Sequence, residues 1–325
     1  AKRRALAAMK TGLENWQDDQ AFWPSLAPLF DDRHTHIPET LSDLFLDWNE
    51  SGKRPSLLSL LAHILDVMEI EETYPLVDMV AIAAILGDGQ GDDLPFHNHE
   101  HIVQVVVSAC VLAFHHNRLN PYDPLEISEV LSLFSAACIH DLGHDGKGNF
   151  DADGRHLPSR LEIQAVEMAE PFLRQVCEDE RIINRIGLMV VATDVSESEG
   201  NDSPSSTLKR VMMSRIAGTA MPVIPMHLHA LGHDARLGLM ALLLEEADLI
   251  PSMALSYDLS KQRTVMAASE SQKLTPDAAT LSGFIEKICD GLILSPVGKE
   301  IFAENFDLIR ARALKEGAQE VTFAA

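Results

Sequence analysis

The sequence predicts an all-α protein folded as one compact multi-helix assembly. Apolar residues recur at three- and four-residue spacing through eight segments, while the alternation typical of strands is scarce. No internal repeat of roughly 20–50 residues is present, which argues against a solenoid built from those helices. Apolar residues make up 46% of the 325 positions, enough for a sizeable core.

Residues 1–75 are expected to form an N-terminal helical subdomain, whose clearest helix covers 56–70. The Gly- and Asp-rich stretch after Leu86 marks the passage to a second unit, 76–325, in which the candidate chemistry lies. Helical periodicity there covers 102–119, 126–141, 160–177, 181–194, 207–219, 235–256 and 278–294. Breaker-rich loops are expected from Gly87 to Pro95, Asp145 to Pro158, Ser196 to Ser206 and Met221 to Asp234. The Ser196–Ser206 loop reads as an ordinary surface loop, placed where it could also cover a pocket. The Met-rich run 212–226 reads as core filling.

A formal charge of −23 disfavours binding to a nucleic-acid backbone, which requires clustered Lys and Arg. The strongest apolar stretches, Val105 to Phe114 and Leu237 to Leu244, are shorter than the roughly 20 residues that cross a bilayer, so they read as core helices. Cys110, Cys138, Cys177 and Cys289 lack paired-ligand spacing and fit a reducing, cytoplasmic setting. The chain begins Ala-Lys-Arg-Arg without a secretory h-region, and the missing Met leads us to expect that an upstream segment has been removed.

Three clusters carry the candidate chemistry. In Phe96-His97-Asn98-His99-Glu100-His101, a helix starting near His97 would put His97 and His101 on one face, where one could bind a metal and the other reach its ligand. The alternative is a solvated polar helix start. In the second cluster, His140, Asp141 and His144 arrive together at the end of an apolar helix. Imidazole and carboxylate suit zinc, manganese or iron, an Asp can bridge two ions, and a metal would offset the cost of burying such groups. The alternative there is a histidine-rich helix end with solvated charges. In Glu245-Glu246-Ala247-Asp248-Leu249, an Asp on a largely buried helix needs a cation or hydrogen-bond donors, although a surface carboxylate is the commoner case. The remaining His115, His116, His227, His229 and His233 read as surface or structural residues.

Taken in order, HNxxH at 97–101, HDxxH at 140–144, ATD at 192–194, EADL ending at Leu249 and GFI at 283–285 resemble the motif series of the class I cyclic-nucleotide phosphodiesterase catalytic domain. That domain is a branch of the HD superfamily of metal-dependent phosphohydrolases, and the likeness to a bacterial-type relative covers about residues 90–310. The resemblance implies an all-α HD-type assembly with its metal site in a central pocket. It implies His101, His140, Asp141 and Asp248 as ligands of a first metal, zinc or iron, with Asp141 bridging to a second, water-rich site for magnesium or manganese. It further implies His97 as general acid, His144 and Glu162 as groups that bind second-site waters or orient the acid, Asp194 as an orienting carboxylate, and Phe284 as the clamp on a purine. The partner implied is a small-molecule nucleotide, with neither nucleic acid nor membrane, and a homodimer is allowed.

The chain departs from that pattern where the base would be read. Leu281 stands in place of a glutamine, Pro251 in place of a second amide, and Phe96 in place of a tyrosine. Leu and Pro supply shape and apolar contact but no hydrogen bonds to a base edge. Three functions therefore stay open: hydrolysis of a cyclic or other diester-linked nucleotide, an HD phosphomonoesterase or nucleotidase, and a non-catalytic nucleotide sensor. No GYP-type segment follows the HD pair, which disfavours a cyclic-dinucleotide enzyme of that kind.

Overall fold

The computed structural model describes residues 2–15, 20–31, 35–151, 153–196, 203–271, 278–288 and 291–324. Among these the chain is all-α, with a single isolated bridge between Phe150 and His156 and no strand. The helices are α1 (Lys2–Asn15), α2 (Trp23–Leu26), α3 (Ile37–Ser51), α4 (Leu57–Val67), α5 (Val77–Asp88), α6 (His99–Leu119), α7 (Ile127–Ile139), α8 (Arg160–Leu173), α9 (Glu180–Val191), α10 (Pro204–Ala217), α11 (His229–His233), α12 (Ala235–Met253), α13 (Tyr257–Ser271), α14 (Ala278–Lys287) and α15 (Pro296–Ala324).

Eight of these fall on the eight predicted segments. Helices α1, α2, α3, α5, α13 and α15 carry no corresponding expectation, and the short α11 falls inside the Met221–Asp234 stretch expected to be a loop. Helix α5 escapes a periodicity argument because its apolar residues are spread around the helix and it packs against α1, α4 and α7. Cys289 and residues 197–202 of the Ser196–Ser206 loop lie outside the described residues.

Helix α6 is the centre of the fold. Every residue from Glu100 to His116 is buried, and α6 packs against α7, α12 and α15. By length and composition it could cross a membrane, contrary to the impression left by the shorter Val105–Phe114 stretch, but 78% of its apolar window is buried inside the protein. It is a core helix. One hydrophobic cluster runs from Leu41, Phe45 and Trp48 of α3 through Val103, Val106 and Leu112 of α6 to Leu243 and Ile250 of α12. Of the Met-rich run, only Met212 enters the core; Met213, Met221 and Met226 are exposed, because the segment after α10 runs over the surface. His115 and His116 are buried, and the former lies 2.8 Å from the Leu29 carbonyl through Nε2.

The starts of the three helices that deliver the central residues are fixed by side chains. Asn98 Oδ1 accepts from His101 N at 3.0 Å at the start of α6, Glu129 Oε2 accepts from Glu126 N at 2.8 Å at the start of α7, and Asp234 Oδ1 accepts from Leu237 N at 3.0 Å at the start of α12. At the other end of α7 the chain passes close to α5. A Cβ on Gly87 would meet the Cys138 carbonyl at 2.5 Å, so glycine alone permits this approach two residues before His140. Gly143 then takes φ +75° to turn the chain out of the helix end.

Helices α7 and α12 are also tied together by charge. Arg236 Nε donates to Glu129 Oε1 at 2.9 Å, its Nη2 donates to Glu129 Oε2, and another donor reaches Asp123 at 3.0 Å. Burial works against ionisation of Glu129, but the Arg236 hydrogen bonds and charge win and hold its carboxyl below the ordinary value of 4.5. Because the folded state lowers this pKa, the pair's contribution is complete above the ordinary value and disappears as pH falls through the folded one. Glu129→Gln should lower the unfolding free energy by about 1–3 kcal/mol at neutral pH. In urea titrations the deficit should shrink steadily from pH 6 to pH 3; a deficit independent of pH would contradict the ion pair.

Candidate metal centre

Four side chains from three helices meet at one point. His101 projects from the first turn of α6, His140 and Asp141 follow the last turn of α7, and Asp248 projects from α12. His101 Nε2 lies 3.0 Å from Asp248 Oδ1 and 3.4 Å from Asp141 Oδ2, and His140 Nε2 lies 3.4 Å from Asp141 Oδ2 and 3.7 Å from Asp248 Oδ1. Both histidines are buried, at 1% exposure.

The donor set fits a divalent metal ion. Bonds of about 2.1 Å to nitrogen and oxygen around a tetrahedral ion separate neighbouring donors by about 3.4 Å, the middle of the observed spread. His140 Nε2 and Asp141 Oδ2 are buried atoms with no hydrogen-bond partner, an arrangement that costs free energy unless a cation satisfies them. His140 also has the support a ligand needs: its Nδ1 is 2.8 Å from the Ala137 carbonyl and donates to it, leaving the Nε2 lone pair directed at the carboxylates. Burial alone would raise the Asp141 carboxyl, but the imidazoles of His140, His97 and His101 around it hold it well below the usual carboxylate range.

His97 lies beside this cluster, but not on the helix. The helix does start near His97, but Asn98 is the N-cap and α6 begins at His99, so His97 does not share a helical face with His101 as expected. Their ring centroids are nonetheless 5.9 Å apart. What fixes His97 is Glu270, at the end of α13. Glu270 Oε1 is 2.6 Å from His97 Nδ1, while its Oε2 accepts from the backbone N–H groups of Phe96 and His97, each at 3.1 Å. Burial opposes the Glu270 charge, but the His97 hydrogen bond and charge bring its pKa down to about 2. The His144 ring stacks on His97 with centroids 3.7 Å apart, and burial and the His97 charge lower its pKa to about 4.

Sequence reasoning missed Glu270. It stands 173 positions after His97 on a helix with little amphipathic pattern, so no motif pairs them. His99, between the two site histidines, faces the other way. It lies 3.0 Å from Asp88, accepts from Arg54 at 2.9 Å, and borders a cleft of about 540 Å³ that does not include the four-residue cluster.

Glu162, partly buried, and Asp194, buried, share one partner, Asn149. Asn149 Nδ2 donates to both, at 3.1 and 2.9 Å, and Asp194 Oδ2 accepts from the Ser159 N–H and hydroxyl, each at 2.9 Å. Asp194 also accepts from Ser196 N at 2.8 Å. It thereby fixes Ser159, the residue before α8, in a left-handed conformation with φ 51°. Burial and the nearby Asp194 charge push Glu162 up to about 8. Thus the carboxylate that touches His97 is Glu270, while Asp194 orders the loop that carries Asn149 and Ser159.

The positions matched to substrate contacts are buried or half-buried against the protein itself. Leu281 is fully buried in α14, Phe284 is half-buried against the core, and Pro251 is buried in the last turn of α12. Phe96 packs on the site's own groups: its ring centroid is 5.1 Å from that of His101 and 4.2 Å from the guanidinium carbon of Arg263. Glu245 and Glu246, before Asp248, bind the protein itself. The first pairs with Lys209 at 2.9 Å, and the second accepts from Leu294 N and Ser295 N at 2.7 and 2.8 Å.

Asp194→Ala should leave several buried donors unpaired and lower the unfolding free energy by about 2–5 kcal/mol, measured by denaturant titration. An unchanged midpoint would show that this carboxylate does not order the loop.

No model of a known protein family matches the chain, and no curated protein matches it. Solved structures do. One structure of the phosphodiesterase domain of the RhoPDE fusion protein of the choanoflagellate Salpingoeca rosetta matches with a TM-score of 0.55 and 17% identity, covering 94% of this chain and 100% of that domain. A second structure of the phosphodiesterase domain of the same organism's rhodopsin phosphodiesterase matches with a TM-score of 0.55 and 18% identity, covering 95% of this chain and 97% of that one. In fold, therefore, this all-α chain is similar to phosphodiesterase domains along nearly its whole length.

Proposed function

We propose that the chain is a metal-dependent phosphodiesterase that hydrolyses a cyclic or otherwise diester-linked nucleotide. The observation that carries this reading is the meeting of two imidazole nitrogens and two carboxylate oxygens, separated by 3.0 to 3.7 Å, next to a carboxylate-held histidine. Similarity in fold to phosphodiesterase domains supports it.

His101, His140, Asp141 and Asp248 would hold the first ion, zinc or iron, and Asp141 with His144 and Glu162 would serve a second, magnesium or manganese. Bound there, such ions supply positive charge to the phosphoryl oxygens and lower the pKa of an attacking water. The remaining chemistry belongs to the protein. Glu270 accepts the Nδ1 proton of His97 and fixes the ring, so the imidazolium can deliver its other proton, from Nε2, to the departing ribose oxygen. Departure as a free alkoxide would be far less favourable. Phe284 and Phe96 offer aromatic surface, while Leu281 and Pro251 offer no amide to read a base edge, so base selectivity should be weak.

A second reading, a phosphomonoesterase or nucleotidase acting through the same centre, is favoured by the burial of Leu281 and Pro251 where base-reading amides would stand. The two separate by substrate. Metal-loaded protein should cleave bis-p-nitrophenyl phosphate, lose that activity on chelation, and regain it with zinc plus magnesium or manganese. His97→Ala should lower kcat by about 10²–10⁴-fold with metal content unchanged. Cleavage of p-nitrophenyl phosphate but not of the diester would establish the second reading, and no turnover against a broad nucleotide panel would contradict both.

A further inference from the structure

Arg263 is a buried cation inside the site that the motifs do not explain. It projects from α13, is 1% exposed, and donates from Nη2 to His101 Nδ1 at 2.7 Å. Its guanidinium carbon lies 4.2 Å from the Phe96 ring centroid, and its Nε and Nη1 are buried without a hydrogen-bond partner. A guanidinium keeps its charge at neutral pH.

A guanidinium has five N–H donors and no acceptor. His101 Nδ1 must therefore accept, and a neutral His101 ring carries its proton on Nε2. That proton has an acceptor in Asp248 Oδ1, 3.0 Å away. The chain of bonds Arg263 to His101 to Asp248 is satisfied without any metal. His140 is set the opposite way, with its proton on Nδ1 and a lone pair on Nε2. A histidine that binds a metal through one nitrogen donates from the other to a carbonyl, carboxylate or water. With His101 in that tautomer, its Nδ1–H would face the Arg263 N–H groups, donor against donor.

We infer that Arg263 is an internal counter-cation that occupies the charge role of the first metal ion in the metal-free protein, opposes loading of that ion, and must withdraw from His101 when loading occurs. Glu100 provides a place to withdraw to: it is buried, its carboxyl feels the Arg263 charge, and its Oε1 accepts from Gln104 at 2.9 Å. The inference rests on the metal-centre reading above, and adds that α13 sets how tightly that centre holds its first ion.

The test is zinc affinity of the chelator-stripped full chain, measured by competition with a colorimetric chelator, for wild type, Arg263→Gln and Arg263→Met. Both substitutions remove the charge, and Gln also offers an oxygen to accept from His101 Nδ1–H. Both variants should bind zinc about 10–100-fold more tightly than wild type, with Gln the tighter. Equal or weaker affinity in folded variants overturns the role of Arg263 while leaving the metal centre standing; failure of all three proteins to bind zinc removes both. Crystal structures of stripped and zinc-loaded wild type give a test that needs no variant. Arg263 Nη2 should lie at hydrogen-bond distance from His101 Nδ1 in the first and not in the second, and retention of that bond in the loaded protein overturns the inference.

Discussion

Two buried imidazoles and two partly buried carboxylates at the junction of α6, α7 and α12 are the constraint around which the described chain is organised. Removing such groups from water is costly unless each finds a partner. The helices must therefore arrive in register to within a fraction of an ångström. That demand accounts for several features that look incidental along the sequence: Asn98 and Asp234 cap two of the ligand helices, Glu129 and Arg236 join the starts of α7 and α12, and Gly87 allows α5 close to the end of α7. Lys209 and Ser295, paired with Glu245 and Glu246, hold the same stretch of α12 that presents Asp248.

Helix α13 gives the centre its asymmetry. It sends an acceptor, Glu270, to His97 and a donor, Arg263, to His101, two histidines four positions apart. An acceptor at Nδ1 leaves the other ring nitrogen of a protonated His97 free to give up a proton. A donor at Nδ1 forces the proton of a neutral His101 toward the carboxylates. The two rings are chemically alike, and their partners on one helix assign them opposite behaviour. His140, whose Nδ1 meets a backbone carbonyl, needs no such adjustment.

Much of this was legible in the sequence because it is local. The eight periodic segments became helices, and His101, His140 and Asp141 come together because HNHEH and HDLGH sit at helix ends, where short-range pattern and chemistry coincide; Asp248, inside α12, was assigned through the motif resemblance. The rest depends on distant contacts. His97 lies before α6 because Asn98 prefers the cap, a choice that the four-residue spacing to His101 does not reveal. Glu270 and Arg263 lie on a helix whose polar and apolar residues are mixed around its surface, and only folding brings them to residues more than 160 positions away. Asp194 entered through the motif resemblance as an orienting carboxylate, but its partners Asn149 and Ser159 come from a loop with no periodicity. Met213, Met221 and Met226 show the converse error, in which apolar composition alone suggested a core.

The central proposal is that His101, His140, Asp141 and Asp248 would together hold a divalent metal ion. Elemental analysis of freshly purified wild type beside Asp141→Ala tests it most directly, with no dependence on knowing the substrate. Wild type should carry about one or more equivalents of divalent metal per chain and the variant roughly a tenth of that, with both proteins folded by circular dichroism. Equal metal contents in the two folded proteins, or a metal-free wild type that takes up none on incubation with zinc, would contradict it.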